Sequence, residues 1–584
     1  MTRSIESVAY ISRNQGRPFR RRALLLLALA TTCVFIVPGP AVAQEIDPEV
    51  LLAHVKYLAS DELAGREAGE PGADSAAAYI AKQFESYGLE PPGTESYRQP
   101  FEITTTISIA PDSRLLLRSG RGSMTLELFK EWVPFNFSGA GSASGEVSHA
   151  GYGLRDEDYE ELESREGPGI ALLRGGVPED FDPHGSGVDP SPRRKATAAR
   201  DAGAEAVLIT VLQLRVPQAG DPPHSLGIPA VQIIESEEIL AWLEDDDLSI
   251  VLEAKVEPLR VAVYNVVGQL PGADPAVADE LIVVGAHYDH LGMGGPGSLA
   301  PDLEEPHNGA DDNASGTALL LGIAQYFAAH PEARPARSLV FVAFSAEEMG
   351  LLGSEYFISH APFPLEKVTA MLNFDMVGRV REGKLQVFGT ETAEEFAALL
   401  DSLDAASPLA LSYVGDGYGP SDQTSFYARE IPVLHLFSGT HSEYHRPEDD
   451  WQLINAAGMA EVGALAIGLI RELGERPGAL TLIKQERPQA RGGGGYGPYL
   501  GTVPDFGEVE GGGLRLSGVR EGSPADQAGL QGGDVVIEFA GNEVLNIYDY
   551  TYALRDHAPG DTVVIKVRRE GEVVELTAVL GRRQ

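Results

Sequence analysis

The middle of the chain, residues 261–475, alternates short apolar runs with longer stretches in which apolar residues recur at helical spacing. One run, Leu281 to Gly285, leads directly into His287, Tyr288 and Asp289. Continuous apolar runs of this length are typical of strands buried on both faces of a parallel sheet. The alternation of strand and helix patterns therefore predicts an α/β domain with a doubly wound, mostly parallel sheet.

The pattern changes on both sides of this region. Residues 47 to about 125 predict two helices followed by strands, and a small α/β unit with short strands comes next. Four successive glycines mark a linker near residue 493, and a β-rich unit follows it. The predicted segments are 1–43 as a signal peptide, 44–129 and 256–475 as the central α/β domain, 130–255 as an insert, 476–497 as a linker and 498–584 as a C-terminal domain.

The N-terminal segment has the pattern of a secretory signal. A basic run ends at Arg22, the apolar stretch Ala23 to Val37 follows, and small residues precede Gln44, so we expect cleavage after Ala43. The apolar stretch is shorter than the ~20 residues that a membrane-spanning helix needs. The expected location is therefore secreted or periplasmic, with no stable membrane span after cleavage.

The net charge and the cysteine content of the chain argue against several classes of function. The formal net charge of −41 makes binding to nucleic acid or to an anionic membrane surface unfavourable. The only cysteine, Cys33, lies inside the expected signal. Disulfides and cysteine catalysis are therefore excluded for the cleaved chain. A length of 584 residues predicts about three domains.

Polar side chains follow the predicted strands of the central domain. Taken singly, each has a structural explanation: Asp312 as a helix N-cap, Glu347 and Glu348 as carboxylates of a first helical turn, and Asp375 as a turn residue. Together with two histidines, they form the ligand set for two zinc ions held ~3.5–4 Å apart by a bridging carboxylate. The sequence therefore favours a two-zinc site at one edge of the sheet.

These segments resemble the secreted di-zinc aminopeptidases of the clan that includes bacterial leucyl aminopeptidases and the aminopeptidase Y type. The matching motifs are HYDH, GADDNASG, AEEMG, FDMVG and YHRP. The resemblance covers residues 47 to 475, with an insert. It implies a zinc exopeptidase fold and two Zn²⁺ per chain. The implied metal ligands are His287, Asp312, Glu348, Asp375 and His445, with Asp312 as the bridging carboxylate.

The resemblance also implies three catalytic roles. Glu347 is expected to act as the general base and to remain uncoordinated, which explains why two adjacent carboxylates are present. Asp289 is expected to accept the ring N–H of His287 and so to fix its tautomer. Tyr444 is expected to stabilise the oxyanion of the tetrahedral intermediate.

The sequence departs from the family pattern at one place. Many relatives have Ser-Asp-His before Thr or Ser, where this chain has Ser421 to Thr424 with Gln423 at the histidine position. Any role of that histidine is lost here. The remaining histidines of the region are expected to be structural or to lie at the rim of the site; they are His290, His307, His435 and His441.

Two further resemblances concern the flanking units. The insert resembles a protease-associated domain through GIALLRGG and an alanine-rich helix followed by AVLIT. The C-terminal unit resembles a PDZ domain, whose loop at residues 499–502 is a candidate site for a chain-end carboxylate, with a C-terminal peptide added as an extra strand. The alternative is a PDZ fold that only packs against the central domain.

The resemblance implies a secreted, zinc-dependent aminopeptidase acting on peptide or protein N-termini. Glutaminyl cyclisation or carboxypeptidase activity on the same fold stays an alternative, because related chemistry uses similar ligands. A non-catalytic peptide-binding receptor is a further alternative. The complete ligand set argues against the receptor, and metal content per chain separates it from the enzymes.

Overall fold

The computed structural model describes residues 46–92, 96–167, 169–178, 181, 189–218, 224–295, 297–300, 303–405, 407–484, 498–505, 509–520 and 522–582. The expected signal segment with Cys33, and residues 485–497 of the expected linker, lie outside these ranges. Within these ranges, no helix has both the length and the apolar character needed to cross a membrane.

The strands and helices are numbered in chain order. The strands are β1 Arg98–Ile109, β2 Arg114–Ser119, β3 Gly122–Leu126, β4 Trp132–Pro134, β5 Gly141–His149, β6 Gly169–Arg174, β7 Ala204–Val211, β8 Ala230–Ile234, β9 Ser249–Ala254, β10 Val256–Leu270, β11 Leu281–His287, β12 Ser338–Phe344, β13 Val368–Phe374, β14 Lys384–Phe388, β15 Ala410–Val414, β16 Val433–Phe437, β17 Pro498–Tyr499, β18 Thr502–Pro504, β19 Leu514–Val519, β20 Val535–Phe539, β21 Asn542–Glu543, β22 Thr562–Arg569, β23 Glu572–Val579 and β24 Gly581–Arg582. The helices are α1 Pro48–Leu58, α2 Pro71–Tyr87, α3 Glu160–Glu163, α4 Pro192–Asp201, α5 Glu237–Leu243, α6 Gly316–Ala329, α7 Leu352–Ser359, α8 Phe396–Asp404, α9 Gln423–Tyr427, α10 Ala456–Glu475, α11 Pro524–Ala528 and α12 Ile547–Arg555.

The central sheet has eight strands in the order β1-β10-β12-β11-β13-β16-β14-β15. Its middle strands β12, β11, β13 and β16 run parallel, whereas β1, β10 and β14 pair with antiparallel neighbours. Alternate residues of β11 enter two cores: Ile282 and Val284 face the core shared with α1, α2, α6 and α10, and Val283 faces the core beside α7 and α9. Helices on both faces confirm the predicted α/β class with a doubly wound sheet.

The insert forms a second eight-stranded sheet, in the order β3-β2-β9-β5-β6-β7-β8-β4. Strands β5 to β8 are parallel, and each face carries an apolar core, one of which surrounds the buried Trp132. Strands β2 and β3, which precede residue 130, pair into this sheet. The predicted boundary at 130 and the protease-associated identity of the insert stay predictions.

The C-terminal domain is β-rich, as expected for the PDZ resemblance. Its main sheet has the order β18-β19-β20-β22-β23, with β21 paired to β20, and β17 pairs with β24. Helix α12 begins after Asn546, whose side chain accepts hydrogen bonds from the backbone N–H groups of Tyr548 and Asp549. Tyr550 and Ala553 of this helix pack into the domain core. One face of α12 is therefore anchored, and other side chains of the helix point away from the core.

Candidate metal centre

The carboxyl ends of four neighbouring parallel strands place polar side chains at one edge of the central sheet. His287 is the last residue of β11, Glu347 and Glu348 follow β12, and Asp375 follows β13. His445 lies in the loop after β16. Because parallel strands end at the same edge, residues distant in the sequence meet in one crevice.

Asp312 reaches the same edge from a π-helical turn, Ala310–Ser315, which leads into α6. Gly309 before this turn has a φ of 52°, and a Cβ there would lie 2.0 Å from the carbonyl oxygen of Asp312. Only glycine fits this approach without strain. The carboxylate of Asp449 accepts the backbone N–H groups of Asp311 and Asp312 at 2.9 and 3.1 Å, which fixes the turn beneath the site.

One group of polar atoms surrounds His287. Its Nε2 lies 3.4 Å from Oδ1 of Asp312 and 3.5 Å from Oδ1 of Asp375. Oε2 of Glu347 is farther, at 3.9 Å. His287 is 1% exposed. These atoms form a buried group of one imidazole and three carboxylates.

A second group forms around the other oxygen of Asp312. Oδ2 of Asp312 lies 3.3 Å from Nε2 of His445, and that nitrogen lies 3.4 Å from Oε2 of Glu348. His290 approaches from another side, with Nδ1 2.7 Å from Oε1 of Glu348 and 4.0 Å from Oδ2 of Asp312. Asp312 thus presents one oxygen to each group, as a bridging carboxylate must.

The donor atoms fit metal ions. Among the described residues there are two sets whose possible ligand atoms lie within 4.8 Å of one another inside each set; the first is His287, Glu347 and Asp375, and the second is His290, Asp312 and Glu348. Oδ1 of Asp375 is buried without a hydrogen-bond partner in the described part of the chain. Imidazole nitrogen and carboxylate oxygen are donors that zinc accepts. The sequence-predicted ligands therefore come together, and the geometry suits two adjacent cations.

Comparison with known families assigns two segments of the chain. Residues 265–470 match the model of peptidase family M28, and residues 498–580 match the model of the PDZ domain. Residues 265–470 are thus a peptidase family M28 segment. This M28 segment contains every sequence-predicted metal ligand and catalytic residue.

Several named proteins are similar to the chain. Leupeptin-inactivating enzyme 1 of Streptomyces exfoliatus is 30% identical over 177 residues, which are 30% of this chain and 36% of that protein. An aminopeptidase of Pseudomonas aeruginosa (strain UCBPP-PA14) is 27% identical over 347 residues, 56% of each protein. Aminopeptidase YwaD of Bacillus subtilis is 26% identical and covers 50% of this chain and 62% of its own. The chain thus spans less than two thirds of the length of these relatives.

Solved structures also align with the chain. The aminopeptidase from Aneurinibacillus sp. strain AM-1 has a TM-score of 0.47 and 23% identity, covering 77% of this chain and 98% of that one. BSAP, a zinc aminopeptidase from Bacillus subtilis, has a TM-score of 0.47 and 22% identity, covering 74% and 97%.

Asp289 of the M28 segment, expected to accept the ring N–H of His287, presents both its backbone carbonyl and its carboxylate near that ring. Nδ1 of His287 lies 3.2 Å from the backbone carbonyl oxygen of Asp289 and 3.9 Å from its carboxylate, so the carbonyl is the nearer acceptor for the ring N–H. The Asp289 carboxylate instead accepts the backbone N–H groups of Glu347 and Glu348 at 3.2 and 3.4 Å. Asp289 therefore holds the turn that carries the two glutamates.

Burial and charge shift the ionisation of the M28 site. Burial, reinforced by Glu348 and opposed by His287, raises the pKa of Glu347 well above its usual range. Burial likewise raises the pKa of Asp289 to about 7. Burial lowers the pKa of His445, but its hydrogen bond to Asp312 and the charge of Glu348 outweigh this and raise the pKa to about 9. Crowded, buried carboxylates of this kind are stabilised by bound cations.

Tyr444 and Gln423 have different neighbours in the M28 segment. The ring of Tyr444 stacks on His445 with centroids 3.8 Å apart, and burial raises the pKa of its hydroxyl. Gln423, at the position of the absent histidine, lies in α9, and its side-chain oxygen accepts a hydrogen bond from Asn373 at 3.1 Å. Tyr444 therefore sits among the metal-site residues, whereas Gln423 belongs to a buried amide network.

His290 and Arg66 are site residues that the sequence pattern did not predict. His290 was expected to be structural or at the rim, yet it contacts Glu348; its place one residue after Asp289 was the available signal. The buried guanidinium of Arg66 donates to the carbonyls of Tyr288, Asn308 and Gly309, at 2.7, 2.7 and 3.1 Å. A single arginine in a loop after α1 gives no periodic signal, so Arg66 could not be found from the sequence.

The other three histidines, expected to be structural or at the rim, contact polar residues around the site. His307 and His435 make hydrogen-bond-distance contacts with Ser298 and Asn373, which are structural roles. Nε2 of His441 lies 3.3 Å from Oδ2 of Asp311 and 3.9 Å from Oδ1 of Asp449, beneath the turn that carries Asp312. His441 therefore has a structural position beside the turn that carries the bridging residue.

Proposed function

We propose that this chain is a zinc-dependent aminopeptidase that removes N-terminal residues from peptides. The observation that carries the proposal is Asp312, whose two oxygens face two separate groups of ligand atoms at 3.3–3.4 Å. The matched relatives include proteins named as aminopeptidases, which supports the same activity for the M28 segment. His287, Asp312 and Asp375 would hold one zinc ion, and Asp312, Glu348 and His445 would hold the other.

Zinc ions bound between these residues would lower the pKa of a water molecule and polarise the scissile carbonyl. Oε2 of Glu347 lies 3.9 Å from Nε2 of His287, farther than the carboxylate oxygens of Asp312 and Asp375, and we assign Glu347 the role of general base. Its carboxylate accepts a proton from the attacking water and donates it to the amine nitrogen that leaves.

The neighbouring side chains complete the proposed mechanism. The Tyr444 hydroxyl donates a hydrogen bond to the oxygen that becomes negative on the substrate carbonyl, and its raised pKa keeps it protonated near neutral pH. The carboxylates of the site favour a positively charged α-ammonium group. The enzyme should therefore require a free N-terminus, which distinguishes an aminopeptidase from a carboxypeptidase.

A comparison of matched substrates tests this function. Leucyl-nitroanilide and its N-acetyl form are supplied to the purified protein before chelation, after chelation and after zinc is restored. We expect cleavage of the free-amine substrate only, loss of activity with the chelator and recovery with zinc. Cleavage of the blocked substrate, or activity that survives complete zinc removal, contradicts the proposal.

We also propose that the protein is exported, with residues 1–43 as the cleaved signal. N-terminal sequencing of the protein isolated from its source tests this point. The expected first residue of the processed chain is Gln44. A purified protein whose first residue is Met1 contradicts export with cleavage of this signal.

A further inference from the structure

A cavity of about 960 Å³ is lined at one end by the metal-centre residues Asp289, His290 and Glu348. Its lining also includes Tyr548, Thr551, Tyr552 and Arg555 of helix α12, which belongs to the C-terminal domain. The volume lies near the top of the range of ~300–1,000 Å³ that drug-sized ligands occupy in proteins. The cavity is therefore larger than one amino-acid residue requires.

Helix α12 is fixed against the insert. Nη1 of Arg200 in α4 lies 3.2 Å from Oδ1 of Asp549, and both side chains are almost completely buried. Nη2 of Arg194 lies 3.0 Å from Asp556, at the end of α12. The guanidinium of Arg193 also lies 4.1 Å from the centroid of the Tyr548 ring. Helix α12 is thus held in place by contacts that repeat along its length.

The C-terminal domain is also fixed against the M28 segment. Nη1 of Arg520 lies 2.6 Å from Oδ2 of Asp416, and its guanidinium lies 4.7 Å from the centroid of the Tyr418 ring. The domain therefore contacts two other parts of the chain at separate places. Contacts on two sides favour a fixed position over a freely tethered one.

We infer that this cavity binds the part of a peptide substrate beyond its first residue, and that α12 is a specificity-determining wall of the aminopeptidase. The inference rests on the proposed function and names its substrate class: peptides of several residues with a free carboxylate, in preference to dipeptides. Glu348, one of the proposed zinc ligands, lines this cavity together with Asp289 and His290. Arg515 and Arg555 line the same cavity; Arg515 lies 3.7 Å from Asp505, so Arg555 is the side chain that suits a negative group at the far end of the peptide.

This role differs from capture of a chain end at the loop 499–502. None of those four residues lines the cavity. Oγ1 of Thr502 lies 2.7 Å from the Tyr550 hydroxyl, so this loop and α12 are joined directly. The cavity instead meets the side of α12 that carries Thr551 and Arg555. The C-terminal domain would thus act on the substrate of the adjacent metal centre and not on a separate ligand.

A ladder of substrates tests the inference. Leucyl-nitroanilide and leucyl peptides of two, four and eight residues are compared by kcat/KM, each peptide as free acid and as amide. We expect kcat/KM to rise about tenfold from the dipeptide to the octapeptide acid, and less for the amide, because remote contacts contribute to transition-state binding. Equal values for all lengths overturn the inference.

Variants locate the effect on α12. Thr551→Trp fills the cavity, and Arg555→Glu reverses a charge at an exposed position of the last helical turn. Each should lower the ratio of octapeptide to nitroanilide kcat/KM about tenfold. Thr577→Trp, at an exposed position of β23, is the matched control and should leave the ratio at its wild-type value. An unchanged ratio in both α12 variants overturns the inference.

A binding measurement separates this inference from the proposed function. A fluorescent octapeptide is titrated into the full-length Glu347→Gln protein and followed by anisotropy, so that binding is seen without cleavage. Thr551→Trp in that background should weaken binding about tenfold, and Thr577→Trp should not. Absence of nitroanilide hydrolysis in the wild type contradicts the aminopeptidase activity. Binding that is indifferent to Thr551→Trp contradicts the role of α12.

Discussion

The two ends of the large cavity differ in how their side chains are held. At the metal end, Asp289, His290 and Glu348 line the cavity, and Asp289 and His290 are only 0% and 2% exposed. At the α12 end, Thr551 is half-buried and Arg555 is exposed. Removing one member of a buried charged cluster leaves its partners unpaired, whereas an exposed side chain can be replaced at little cost. Mutations at the metal end should therefore lower activity or stability strongly, whereas mutations at the α12 end should have small effects.

The two ends also arise differently from the chain. The metal end is built at the edge of one parallel sheet, where strand ends converge by geometry alone. The α12 end depends on contacts between the insert and the C-terminal domain, such as the Arg200–Asp549 ion pair. The position of the metal-site residues thus depends on the fold of the central domain, whereas the position of α12 depends on how separate domains pack.

The largest expected effect is the loss of metal ions at the bridging residue. Asp312→Ala removes an oxygen from both ligand groups, so we expect zinc content to fall from about two ions to less than one per chain, with loss of activity. Asp375→Ala removes a ligand from one group only and should leave about one ion. Elemental analysis of both purified proteins makes the comparison. Equal zinc content in the two variants would contradict the bridging role of Asp312.

The second-largest expected effect is a loss of turnover without a loss of zinc, which would distinguish the proposed general base Glu347 from the metal ligands. Glu347→Gln should lower kcat by about 10²–10⁴-fold while zinc content stays at the wild-type value, because only proton transfer is lost. Glu332→Gln, on a short exposed turn after α6, is the matched control. Kinetics and elemental analysis on the same samples provide both values. Turnover at the wild-type rate would remove Glu347 from the mechanism.

Much of the metal end was predictable because strand ends leave a clear signal. Buried apolar runs located β11, β12 and β13, and the polar residues after them proved to lie together. The roles of neighbouring residues were less predictable, since they depend on local backbone geometry. The acceptor nearest to the His287 ring N–H is the carbonyl of Asp289, and its carboxylate binds the turn after β12. No periodic pattern encodes that difference.

The long-range contacts were the least predictable. Arg66 joins the loop after α1 to loops more than 200 positions away, and one buried arginine has no sequence signature. The pairing of β2 and β3 with the insert also depends on contacts across more than 100 residues. The resemblance of the C-terminal unit to a PDZ domain predicted its fold. It left open whether that domain packs against the rest of the chain, which the contacts of Arg520 and Arg200 now describe.

A third prediction tests whether the metal end depends on its buried support. Arg66→Lys replaces a five-donor group by one with three donors, so carbonyls of the metal loops lose their partners. We expect the free energy of unfolding to fall by about 3 kcal/mol and zinc affinity to fall with it. Arg337→Lys is the matched control, since Arg337 is also buried and donates to three carbonyls remote from the metal site.

Denaturant unfolding and zinc titration against a competing chelator separate the two arginines. Both variants should lose stability, but only Arg66→Lys should bind zinc more weakly. Equal zinc affinities would show that the Arg66 contacts support the fold without positioning the ligands. Buried arginines near the metal end and elsewhere in the central domain would then have the same effect on zinc binding.

The smallest expected effect concerns the position of α12. Arg200→Ala breaks the buried pair with Asp549 between the insert and the C-terminal domain, which should loosen the far wall. We expect the ratio of octapeptide to nitroanilide kcat/KM to fall about threefold, because the contact is remote from the reacting bond. Arg569→Ala is the control: it breaks a pair with Asp534 inside the C-terminal domain, and it should lower stability without changing this ratio. A fall of several hundredfold in this ratio after Arg200→Ala would mean that α12 also supports the metal centre. The expected difference in mutational sensitivity between the two ends of the cavity would then be wrong.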